Sequence, residues 1–488
     1  MNADFPDITP MIPELFLFVM ALAVLLLDLF SKKRSVAVPA YTSMVALAIA
    51  GALVYKFQGG NLWNGMFVSD GFAVFFKIIF LGSAFMAIGS SFGIVERMSH
   101  HRGEFFSLIL FSTVGMMFLA SAKELIMLYI GLELTTIPLF VLAAYQKTKK
   151  ASAEAGLKYL IIGAASSAIL LYGLSIIYGL AGTTYLIQIT INLSIYWLSH
   201  GMIGPAFTIA LMMIMAGLTF KLAIVPFHMW APDVYEGAPT PITAFLSVGS
   251  KAAGLAAIVR IFDGMLIAFA SDMMAPRDWG NMMAVLAAIT MIVGNVIAIR
   301  QTSIKRMLAY SSIAQAGYIL VGVVAATKMG VASVSFYMFA YMFANMGAFA
   351  VAGLFAEKTG SEKIKDFAGL SQSSPMVSAL MAAFLLSLAG IPPLAGFLAK
   401  YYVFAAAIEA GFRWLVILAL LTSVISLYYY ANVIRLMYLT PEKSPYRVVP
   451  SFPAGLVLTI AGIGVLIFGI LPQSVLELAY NAAIGFAF

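Results

Sequence analysis

Apolar residues run along this chain in blocks about as long as a membrane is thick, and polar residues are held to the gaps between them. A transmembrane helix needs roughly 20 consecutive apolar residues. That length picks out fourteen spans: 11–31, 36–56, 70–93, 104–121, 124–144, 154–180, 204–227, 238–262, 280–300, 306–326, 330–356, 375–408, 412–438 and 453–472. The pattern predicts an all-α polytopic membrane protein with about 14 transmembrane helices. An even count returns the C-terminus to the side of the N-terminus. Proline interrupts two spans, the seventh at Pro226 and the twelfth at Pro392-Pro393. Proline lacks the backbone donor and its ring clashes with the preceding turn, so helices 7 and 12 are expected to be discontinuous. The breaks lie five spans apart, an odd offset that inverts the second copy and suggests inverted-topology repeats. No stretch reads as a strand, and no low-complexity segment is visible.

Composition narrows the function classes. Of 488 residues, 62% are hydrophobic and 10% charged, with a mean hydropathy of +0.99, which leaves no stretch for a folded soluble domain. The absence of cysteine excludes disulfides and thiolate ligation of iron–sulfur clusters or other metals within the chain. His100, His101, His200 and His228 are scattered without metal-ligand spacing, so no metal site is expected. No glycine-rich loop follows a strand, so no nucleotide or other bound cofactor is expected. The opening MNADFPDITPMIPE is acidic, unlike the basic start of a cleavable signal peptide.

A net charge of +7 suggests a nucleic-acid partner only until the basic residues are placed. Taken alternately, the connections give one side 17 Lys and Arg, among them Lys32, Lys33, Arg34, Arg97, Lys147, Lys149, Lys305, Arg306 and Lys363. The other side receives Lys56, Lys123, Arg260, Arg277, Lys328 and Arg413. Cytoplasmic loops carry the excess of Lys and Arg. Both termini are therefore expected on the outer (periplasmic) side of the cell inner membrane, and no nucleic acid is expected as a partner.

Five charged residues remain where a bilayer tolerates them least: Glu133, Lys158, Lys221, Lys251 and Lys400. A charge at the bilayer centre costs at least about 2.5–3.5 kcal/mol on insertion scales, so such residues usually mark an ion path. Lys251 sits midway along its span among Ser247, Gly249, Ser250, Ala252 and Gly254, small neighbours that let another helix approach. Glu133 is equally central; a lysine on a neighbouring helix would form with it a pair whose charge state can be toggled. Lys221 lies about one and a half turns before Pro226 on a span expected to continue toward Trp230, too deep to snorkel. A break at that depth frees carbonyls to line a wet cavity. His228, two residues past Pro226, suits a relay, or is an interfacial histidine without a role. Lys158, about one turn from its span's cytoplasmic end, is open to both snorkelling and a role in the path. Lys77 is read as snorkelling to the outer face.

The run Lys221 to Asp233, with Val225-Pro226-Phe227-His228, Trp230 and Pro232-Asp233, resembles the signature of the antiporter-like subunits of proton-pumping NADH:quinone oxidoreductase (respiratory complex I). The continuation Val234-Tyr235-Glu236-Gly237-Ala238-Pro239-Thr240 is similar to the N-type branch among them, as is a lysine at Lys400. The resemblance covers nearly the whole chain. It implies two inverted five-helix repeats, and hence an N-terminal three-helix segment 1–103, repeats at 104–262 and 263–440, and a last helix with its tail at 441–488. It further implies that Glu133 and Lys221 are the family's glutamate–lysine pair, Lys251 its central lysine and Lys400 its outward-connecting residue. Lys77 has no counterpart in that pattern.

The expected function is proton translocation in a membrane arm. A proton enters past Lys158 or His228, loads Lys221 and Lys251, crosses through water to Lys400 and leaves outward, triggered through the Glu133–Lys221 pair. NADH, FMN, iron–sulfur clusters and quinone would belong to partner subunits. Expected partners are neighbouring membrane-arm subunits, the lipid bilayer and protons. The rival expectations are a subunit of a multi-subunit sodium/proton antiporter with the same fold, and a structural spacer whose ion pairs only hold helices together.

Overall fold

The computed structural model describes residues 7–30, 36–98, 101–200, 204–265, 276–441 and 443–485. Lys32, Lys33, Arg34 and His100 lie outside the described residues, as does the side chain of Arg277. The apolar blocks fold as helices. First come α1 (Ile12–Phe30), α2 (Ala37–Lys56), α3 (Gly71–Ser90) and the short α4 (Phe92–Glu96). Then follow α5 (Arg102–Ser121), α6 (Leu125–Ala143), α7 (Lys150–Ala181), α8 (Leu186–His200), α9 (Pro205–Leu222), α10 (Trp230–Gly237), α11 (Thr240–Phe245) and α12 (Lys251–Met265). The second half holds α13 (Pro276–Ile299), α14 (Ile304–Val324), α15 (Lys328–Thr359), α16 (Leu370–Ser373), α17 (Pro375–Ala389) and α18 (Ala395–Glu409). It closes with α19 (Arg413–Leu439), α20 (Phe452–Ile470) and α21 (Gln473–Ile484). Among the described residues thirteen helical segments are long and apolar enough to cross a membrane. The remaining span is the pair α17 and α18, each too short alone.

Local chemistry sets the helix ends. Asp70 caps α3 by accepting from the Ala73 N–H at 2.9 Å, Glu124 caps α6 through Met127 at 2.8 Å, and Thr327 caps α15 through Gly330 at 3.0 Å, each satisfying a donor that the first turn leaves free. Small residues set the packing. A Cβ on Gly115 of α5 would lie 2.4 Å from the Thr135 nitrogen of α6, and one on Gly294 of α13 would lie 2.6 Å from the Ala314 nitrogen of α14. Both pairs therefore pack backbone against backbone. The centre is formed by the Thr240–Phe262 segment, α14 and α15, whose apolar windows are 100%, 89% and 89% buried; that of α7 is 28% buried and lines the outside.

Four expectations change. A two-residue hairpin pairs β1 (Asn61–Leu62) with β2 (Phe67–Val68) where no strand was read. Trp63, Asn64 and Gly65 all have positive φ there, so the chain reverses in a gap too short to carry a periodic pattern. Arg260, assigned to an outer connection, is buried in α12, where it grips Asp70 with two 2.6 Å bonds and donates to the Ala120 carbonyl at 2.9 Å. Lys305, assigned to a cytoplasmic connection, is buried and donates to the carbonyls of Glu236 at 2.7 Å and Ala238 at 2.9 Å. Lys77 does not snorkel: it is 1% exposed and paired with Glu14 of α1 at 2.7 Å. For the three charged residues the partner comes from a distant stretch of chain that apolar periodicity does not bring opposite.

The seventh span also ends earlier than read. α9 stops at Leu222, Ala223 is left-handed (φ 57, ψ 44), the Val225-Pro226 bond is cis, and a helix resumes only at Trp230. The residue before a proline is disfavoured in helical conformation, so the helix ends ahead of Pro226 rather than at it. In the twelfth span α17 ends at Ala389, Gly390 has φ 89, Pro392-Pro393 is cis and α18 starts at Ala395.

Candidate functional site

Lys221 occupies the last turn of α9 and is 2% exposed. Its ammonium donates to the Thr136 hydroxyl of α6. Glu133 lies three residues earlier on α6, a spacing that puts both on one helix face, and its charge attracts that of Lys221. Glu133 accepts from the Ser167 hydroxyl of α7. Gly254 of α12 allows the Lys221 stem to lie against it, since an added Cβ would sit 3.1 Å from Lys221 Cγ.

Lys251 opens α12 directly after a π-helical turn, Leu246–Ser250, an irregularity frequent at functional sites. It is 2% exposed, and its ammonium donates to both the carbonyl and the hydroxyl of Ser312 at 2.6 Å. Beyond Ser312, α14 carries a neutral polar relay. Ser311 bonds the Tyr430 hydroxyl, Gln315 donates to the Leu388 carbonyl at 2.9 Å, and Tyr337 donates to Gln315. A cavity of about 10 Å³ follows, lined by Gln315, Tyr337, Tyr341 and Lys400 among others, close to the room one water needs. Lys400 closes the row. Its ammonium donates to the Ala389 carbonyl freed by the break at 2.9 Å and to Ser423 at 2.8 Å, and lies 4.6 Å from the Tyr318 ring centre.

Residues 122–426 match the family described as NADH:quinone oxidoreductase/Mrp antiporter, TM. The chain belongs to that family. The matched stretch contains Glu133, Lys158, Lys221, His228, Lys251 and Lys400, whereas Glu14 and Lys77 lie outside it. The chain is 46% identical over 468 residues to NADH-quinone oxidoreductase subunit N of Moorella thermoacetica, covering 95% of each. It is similar to a chain in a structure of respiratory complex I from Thermus thermophilus with bound aureothin, with a TM-score of 0.79, 32% identity and coverage of 95% and 98%. A chain of the Mrp complex from Dietzia shares the fold, with a TM-score of 0.83 at 21% identity and 98% coverage of both chains.

Within this family member the predicted residues divide into two groups. Lys221, Lys251 and Lys400 are buried inside the helix bundle, and Glu133 is half-buried beside the first of them on α6. Lys158 stands apart, 41% exposed on α7 and bridged to Glu154 at 2.9 Å and Asp233 at 2.7 Å. Asp233 also meets Arg306 at 3.1 Å, and Arg306 meets Glu236 at 2.6 Å. His228 follows the break between exposed Phe227 and Met229, and its Nδ1 has no hydrogen-bond partner among the described residues. Sequence reasoning missed Thr136, Ser167, Ser312, Gln315, Tyr337, Ser423 and Tyr430. One signal was present: Ser311, Ser312 and Gln315 fall mid-span at spacings of three and four, which place them on one face of α14.

Proposed function

We propose that this chain is a proton-translocating membrane-arm subunit of an NADH:quinone oxidoreductase, moving protons along the Glu133–Lys221–Lys251–Lys400 row. Full-length likeness to subunit N of Moorella thermoacetica and to the Thermus thermophilus complex I chain supports the assignment; likeness to the Mrp chain extends to the fold alone. The observation that carries the residue roles is the partner set of the buried lysines. Lys251 and Lys400 are held by neutral hydroxyls and carbonyls, which can accept hydrogen bonds from either a charged or a neutral lysine. When Glu133 approaches Lys221, the pair holds a proton; when it withdraws, the proton is free to pass to Lys251 and on through the Ser312–Gln315 relay to Lys400. Each charge moved against 100 mV costs about 2.3 kcal/mol, so the redox energy comes from partner subunits, which carry NADH, FMN, iron–sulfur clusters and quinone.

The same reading places both termini on the outer side of the cell inner membrane. It treats 104–262 and 263–440 as inverted repeats, flanked by segments 1–103 and 441–488, with one broken helix in each repeat. The test is Lys221→Ala in the host, with assembly, NADH-driven quinone reduction and proton uptake measured in membrane vesicles. Intact assembly with both activities lost is the expected result. Intact assembly with full pumping would leave Lys221 as a structural charge and end the proton-route reading.

A further inference from the structure

We propose that Tyr318 is a positioning residue of the proton path: its ring face seats the Lys400 ammonium, and buried hydrogen bonds among Asn295, Thr422 and Tyr429 keep that ring in place. This inference rests on the proton-translocating reading and deepens it at the Lys400 end. Lys400 is buried in α18, and an ammonium has three protons to donate. Its acceptors are the Ala389 carbonyl at 2.9 Å and the Ser423 hydroxyl at 2.8 Å. The same ammonium lies over the Tyr318 ring of α14, 4.6 Å from its centre. An aromatic face carries the negative end of the ring quadrupole and attracts a cation, most strongly where water is excluded. Tyr318 is 0% exposed and Lys400 5%, so this contact is a desolvated one. The ring adds a third partner to the two oxygens.

The way the ring is held is the second observation. The Asn295 amide of α13 donates to the Tyr318 hydroxyl at 3.0 Å, and that hydroxyl donates to Thr422 of α19 at 3.2 Å. The Tyr429 hydroxyl donates to the Asn295 side-chain oxygen at 3.0 Å, which fixes the way the amide faces. The Asn295 amide also donates to the Met291 carbonyl at 2.8 Å, and the Thr422 hydroxyl bonds the Leu418 and Ala419 carbonyls of its own helix at 3.0 Å. All four side chains are buried. A buried polar network whose members find partners is rigid and specifies one arrangement. Packing restrains the ring as well, since Phe404, one turn beyond Lys400 on α18, meets it edge-on with centres 6.3 Å apart. Adjacent residues of α19 divide the work: Thr422 takes the phenol and Ser423 the ammonium. Ring and lysine are thus referenced to the same helix. The Tyr318 hydroxyl has both a donor and an acceptor in place, so Tyr318 orients Lys400 and passes no proton itself.

The test uses the whole complex in host membranes, with assembly and NADH-driven proton uptake measured for Tyr318→Leu, Tyr318→Phe and Lys400→Met. The expected result is an assembled complex in each case. Tyr318→Leu lowers proton uptake about tenfold, the order that a desolvated cation–π contact supplies. Tyr318→Phe loses less, because the ring stays while its anchor goes, and Lys400→Met does not pump. Full pumping in Tyr318→Leu beside an inactive Lys400→Met overturns the role of Tyr318 alone, as do equal losses in Tyr318→Leu and Tyr318→Phe. Full pumping in Lys400→Met overturns the proton-path reading beneath it. Phenylalanines carrying one, two and three ring fluorines at position 318 keep the shape while draining the negative face. A stepwise fall in proton uptake with each fluorine, at unchanged assembly, supports the seat, and a flat series overturns it. The same series decides the matter should Tyr318→Leu fail to assemble.

Discussion

A buried ammonium needs acceptors for its protons, and the kind of acceptor separates the lysines of this protein. Lys251 and Lys400 bond neutral oxygens, but Lys77 faces the Glu14 carboxylate at 2.7 Å with both side chains almost fully buried. The contact ties α1 to α3, so Lys77–Glu14 works as a clamp between the two helices. Breaking a buried pair by removing one member costs about 3–5 kcal/mol, whereas replacing both by apolar residues is often neutral. Lys77→Met and Glu14→Leu are each expected to lower the thermal stability of the purified complex by that order, and the double variant to recover it. A double variant as unstable as either single would show that something other than the pair matters. For Lys251 the corresponding change is Ser312→Ala, which removes one of its two acceptors. Assembly is expected to persist while proton uptake per quinone reduced falls; unchanged coupling would remove Ser312 from the path. Lys221, Lys251 and Lys400 could be picked out in the sequence because a charge deep in an apolar run is rare; Lys158, picked out on the same ground, is partly exposed and paired with Glu154 and Asp233. The hydroxyls that receive the buried lysines could not, since serine and tyrosine occur throughout such runs and nothing marks which face meets a lysine.

At the scale of elements the two helix breaks carry the argument: the break after α17 sets Lys400 against the freed Ala389 carbonyl, and α9 ends one residue beyond Lys221. Both were announced by proline, but their extents were not. The carbonyl that Lys400 uses belongs to Ala389, before Gly390 and three residues before Pro392, and α9 likewise ends four residues before Pro226. Proline excludes helix from its own position and disfavours it just before, while tertiary packing decides where the helix lets go. The geometry makes two expectations. Ala223 is left-handed at φ 57, a conformation costing a non-glycine residue roughly 1–2 kcal/mol. Ala223→Gly is therefore expected to raise the melting temperature or leave it unchanged, and the β-branched Ala223→Val to lower it. The opposite order, read by thermal unfolding of the complex, would show that the turn is not constrained as described. Gly390 has φ 89, and a Cβ there would come 3.0 Å from Lys400 Cδ. Gly390→Ala is expected to impair pumping more than assembly by displacing Lys400, whereas equal losses in both would assign Gly390 to folding alone.

Across the whole molecule, depth and sidedness decide what the row of lysines can do. The Thr240–Phe262 segment, α14 and α15 make a core that no lipid reaches, while α7 and α19 stand at the rim with windows 28% and 39% buried. A charge path through that core becomes a pump only if its two ends meet different compartments. A cleft lined by Glu236 and Lys305 is also lined by Lys147, Lys149 and Arg97, all from the Lys/Arg-rich connections, and Lys400 follows its break in α18. On the proposed orientation, the Lys/Arg bias puts this cleft on the cytoplasmic side. Burial of Arg260 and Lys305 removes one cation from each side's loops, so that bias survives the correction. The cysteine-free chain makes the assignment directly measurable, because any introduced thiol is the chain's only one. Lys149, Lys363, Lys56 and Arg413 are all exposed. Single cysteines at Lys56 and Arg413 are expected to react with a membrane-impermeant maleimide from the outer side of intact inner membranes. Cysteines at Lys149 and Lys363 are expected to react only in inverted vesicles. The reverse pattern would turn the cleft outward and require protons to travel from Lys400 toward Lys251.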